Sequence, residues 1–95
     1  AISEAATNLF AIFLHKNNLI EPGFNINHSF FVSQKRAEST FFYEFPKKKE
    51  ILDILVRIEE LRNRLCYEGE KEAKEVNEAI SLMFKLKSIL EEEQK

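Results

Sequence analysis

The chain has 95 residues, 44% hydrophobic and 32% charged, with a formal net charge of -2. That length suits one domain spanning residues 1–95 with a modest core, and the acidic balance excludes a surface built throughout for nucleic acid. The longest purely apolar run, Leu9 to Leu14, is far short of the roughly 20 residues needed to cross a bilayer.

No basic stretch of the signal-peptide kind opens the chain. The single cysteine, Cys66, cannot form an internal disulfide, which fits a reducing compartment. These features predict a cytoplasmic, intracellular protein with no membrane partner. The missing initiator methionine fits a chain that is processed or excised from a longer protein.

From Ser3 to Asn17, Ala6, Leu9, Phe10, Phe13 and Leu14 recur at three- and four-residue intervals, which predicts a helix over 3–17. Ser3 is its candidate cap and Asn17-Asn18 its stop. Glu21-Pro22-Gly23-Phe24 reads as a turn.

Alternation of apolar and polar residues then predicts a β-hairpin over 24–45. Phe24, Ile26, Phe30 and Val32 share one face of the first strand, and Phe41, Tyr43 and Phe45 one face of the second. Setting Val32 opposite Phe41 leaves Lys35-Arg36-Ala37-Glu38 as the loop and places Phe31 opposite Phe42 on the other face. A second aromatic face on so small a domain needs a cover.

Pro46 suits the first position of a helix over 46–67, where Ile51, Ile54, Ile58, Leu61 and Leu65 follow a 3-4-3-4 spacing. A last helix over 70–92 carries apolar residues on more than one side, Met83 and Phe84 among them. Gly69 is the one glycine able to separate these helices. Without a break there, a single helix from Pro46 to Glu92 would run about 70 Å. The expected fold class is α+β, in the order α-β-β-α-α, with the hairpin packed on a helical layer and a C-terminal helical hairpin.

Few residues carry chemistry. His15, His28 and Cys66 sit on separate predicted elements with no metal-ligand spacing, so no metal and no cofactor is expected. Asn27-His28-Ser29 matches a glycosylation sequon by pattern alone. Glu59, Glu60, Glu68, Glu70, Glu72, Glu75 and Glu78 could serve a metal-dependent helical phosphohydrolase, but Lys71 and Lys74 interrupt the run in the manner of a solvated helix face. No glycine-rich phosphate loop or nucleophile motif is present, so a non-enzymatic role is expected.

The residues point instead to a protein-interaction or assembly module. It would self-associate, most simply as a homodimer, or bind a protein partner. Phe31 and Phe42 on the second hairpin face, the strand edges, and Met83 and Phe84 on the last helix are the expected interface. The alternative is a nucleic-acid accessory domain. Lys35 and Arg36 would act from the loop, and Lys47, Lys48 and Lys49 from a helix first turn where the dipole disfavours cations.

Overall fold

The computed structural model of the protein describes residues 2–21, 23–67 and 73–93, and within these it leaves out the side chains of 2, 3, 65–67 and 73. The Ser3 cap, the Cys66 thiol, the turn at Gly69, and Glu68, Glu70, Lys71 and Glu72 lie outside that description. Among the described residues there are four α-helices, one 3-10 helix and no strand. The helices are α1 (Ile2–Lys16), α2 (Gln34–Thr40), α3 (Lys48–Tyr67) and α4 (Ala73–Glu93), and the 3-10 helix is His28–Phe31.

Helix α1 buries Ala6, Phe10, Phe13 and Leu14, the stripe its periodicity marks. Its end is set by Asn18, which takes a left-handed φ of 55°. Leu19 N–H then donates to Leu14 C=O (2.9 Å) and Asn18 N–H to His15 C=O (3.1 Å), the paired bonds that terminate a helix through an αL residue. Phe24 N–H donates to Glu21 C=O at 3.0 Å and closes the following turn.

The β-hairpin and the α+β class are overturned in residues 24–45. Asn27 accepts from Ser29 N–H (2.8 Å) and opens the 3-10 helix, and Ser33 accepts from Arg36 N–H (3.1 Å) and caps α2. The stretch read as a hairpin loop, Lys35-Arg36-Ala37-Glu38, consists together with Gln34 before it of good helix formers without a turn-forming glycine or asparagine. With Ser33 in front, it winds. The two aromatic runs therefore meet across a helical corner instead of a ladder. Phe31 stacks on Phe41 at 5.7 Å with planes 8° apart, so the predicted pairing of Phe31 with Phe42 does not exist.

Helix α3 begins two residues after Pro46. Lys48 N–H bonds to Phe45 C=O (3.2 Å) through a turn in which Lys47 has a φ of 56°. Ile51, Leu52, Ile54, Leu55, Ile58 and Leu61 are buried along α3, and Ala79, Leu86, Ile89 and Leu90 along α4. Ion pairs fix the relative direction of these two helices. Glu50 meets Lys85 (3.7 Å), Arg57 meets Glu78 (2.7 Å) and Arg64 meets Glu75 (3.7 Å). Positions rise along one helix as they fall along the other, so α3 and α4 are antiparallel neighbours and not one long rod.

Arg57 reaches Glu78 through two bonds (Nε–Oε2 2.7 Å, Nη2–Oε1 2.9 Å), the bidentate fork of a guanidinium on a carboxylate. These bonds hold the Glu78 carboxyl below its ordinary value of 4.5 and raise the Arg57 guanidinium. Because the folded carboxyl is the stronger acid, the pair supports the fold above the unfolded value and releases it as pH falls through the folded one. An NMR titration should therefore find a Glu78 midpoint below 4.5 that moves up toward it in Arg57→Gln. An unchanged midpoint would show that the fork does not form in solution.

A network of rings joins the cap, residues 24–45, to the bundle. Phe10 sits edge-on to Phe31 (6.0 Å) and Phe41 (5.1 Å) and tilts against Phe45 (5.8 Å). Phe41 also meets Phe30 (6.2 Å) and Tyr43 (6.5 Å). Such pairs contribute about 0.5–1.5 kcal/mol each beyond the area they bury. Burial of Tyr43 raises its phenol pKa.

Candidate interaction surface

The core assigns a place to each residue expected at an interface. Phe31 is 1% exposed and stacked inside the ring network, so it belongs to the core and offers nothing to a partner. Met83 is half-buried and packs on the same core. Phe42 is 78% exposed but leans on Tyr43 at 5.6 Å. Phe84 is 68% exposed, and it has no ring contact among the described residues. The strand edges vanish with the hairpin.

The basic residues do not converge. Lys35 and Arg36 are exposed on α2. Lys48 lies mostly covered and faces Glu44 at 3.7 Å, and Lys47 faces Glu93 at 4.0 Å. Lys49 lines an open hollow of about 480 Å³ between α3 and α4 together with Lys47 and Lys85, but Glu50 and Asp53 share that hollow. Of the acidic run, the described Glu59, Glu60, Glu75 and Glu78 are all in ion pairs. Glu60 and Glu78 both bond Arg57, and no group of three His, Cys, Asp or Glu able to hold a metal occurs among the described residues.

Helix packing shows where Phe84 lies. His28 bonds Glu59 of α3 (2.8 Å) and lines a cleft with Glu4, Thr7 and Asn8 of α1, while Phe13 meets Phe45 just before α3 begins. Helix α1 therefore runs antiparallel to α3 and, by the same token, parallel to α4. The Glu4–Thr7–Asn8 side of α1 faces segment 26–28. Helix α4 also packs on α1, whereas Ile12, one turn beyond Asn8, shares the row of Glu4 and Asn8 on α1. On α4 itself, Glu78 and Lys85 face α3. Val76, Ile80 and Phe84 follow one another at four-residue spacing on another side of α4, the first half-buried and the other two exposed.

The outcome is an apolar row on α4, in which half-buried Val76 is followed by Ile80 (40% exposed) and Phe84. Comparison with protein-family models, with curated proteins and with solved structures finds no match. The surface is therefore read from its own chemistry. Asn77, Lys87 and Glu91 share its side of the helix. Single exposed apolar residues are ordinary on a small protein, whereas Ile80 and Phe84 stand one turn apart on one helix and form an adjoining pair.

Sequence reasoning found Phe84 from the breadth of the apolar face on the last helix, and it missed Ile80. The signal was present as an apolar residue off the core stripe, one turn before Phe84. No described helix is long and apolar enough to cross a membrane.

Proposed function

We propose that this protein is a helical interaction module that docks a protein on the exposed apolar row of α4, with Phe84 as the anchor. The observation that carries this reading is the 68% exposure of Phe84 one turn from exposed Ile80, on a helix whose other large apolar residues are buried or half-buried. Full burial of one such ring is worth roughly 1.5–3 kcal/mol. Aromatic anchors of this kind carry most of the energy at protein interfaces. The hairpin face drops out of the reading, which rests on the C-terminal helix alone.

The test is cross-linking in the cells that make the protein, using a photoreactive residue at position 80 and a control at exposed Asp53. A discrete adduct is expected from position 80, absent from position 53 and lost in Phe84→Ser. The same substitution should leave stability within about 0.5 kcal/mol, since it removes no core contact. Equal adducts from both positions, or an adduct indifferent to Phe84, would overturn the proposal.

A further inference from the structure

We draw no further inference here: the strongest candidate, the cleft of about 260 Å³ between α1 and segment 26–28, is lined by a Glu4 carboxylate that the first turn of α1 accounts for and by a His28 imidazole already committed to Glu59, and nothing in the structure shows what fills it.

Discussion

Phe31→Ala is expected to cost about 3–5 kcal/mol, the range for removing a fully buried phenylalanine from a core that cannot close over the space. Phe31 is 1% exposed, stacked on Phe41 and edge-on to Phe10, so the substitution opens a void where the cap joins α1. Against a total stability of about 5–15 kcal/mol, the loss is a large fraction of what holds the domain folded. Phe42→Ala, in the same aromatic segment as Phe41 and 78% exposed, should move stability by about 0.5 kcal/mol or less. Urea unfolding of the two variants measures both values. The pair also separates two architectures, because a hairpin with Phe31 opposite Phe42 on its outer face would make the two substitutions similar. Similar midpoints would sink the helical cap.

The same residues show what could be read from sequence. The 3-4 spacing of Ala6, Phe10, Phe13 and Leu14, and of Ile51, Ile54, Ile58 and Leu61, marks long amphipathic helices, and all of these side chains are buried. Asn18 stops α1 because asparagine tolerates the left-handed region that a helix end uses. Residues 24–45 misled for a physical reason. Short aromatic runs satisfy a period of two as easily as a helical corner does, and β-propensity mostly reports a fit to half-buried surfaces. The decisive signals were small polar ones, Asn27 before the 3-10 helix and Ser33 before a run of helix formers. Capping hydrogen bonds outweighed alternation there. The docking row was legible only in part: Phe84 stood out in the breadth of the apolar face on α4, whereas Ile80 reads there as one more apolar residue, and its 40% exposure follows from which side of α4 packs.

A second large effect is expected at the one described charged side chain that the core encloses. Glu59 is 3% exposed on α3, with His28 Nδ1 at 2.8 Å and Arg62 Nη1 at 3.6 Å from the same carboxylate oxygen. A carboxylate accepts, so the His28 ring donates through Nδ1, which ties the 3-10 helix to α3. Taking a charge out of water costs several kcal/mol unless its partners remain, whereas exchanging the whole pair for apolar groups is often neutral. His28→Ala should therefore cost about 2–3 kcal/mol, short of the full price of an orphaned charge because Arg62 stays close. Glu59→Met should be far milder, since it removes the buried charge and the imidazole and guanidinium it leaves behind are both partly exposed to water. In the Glu59→Met background, His28→Ala should then cost less than about 1 kcal/mol. Urea unfolding of the four proteins closes the cycle. If His28→Ala costs the same in both backgrounds, the histidine is not what makes the buried carboxylate tolerable, and the cap is held to the bundle by its rings alone.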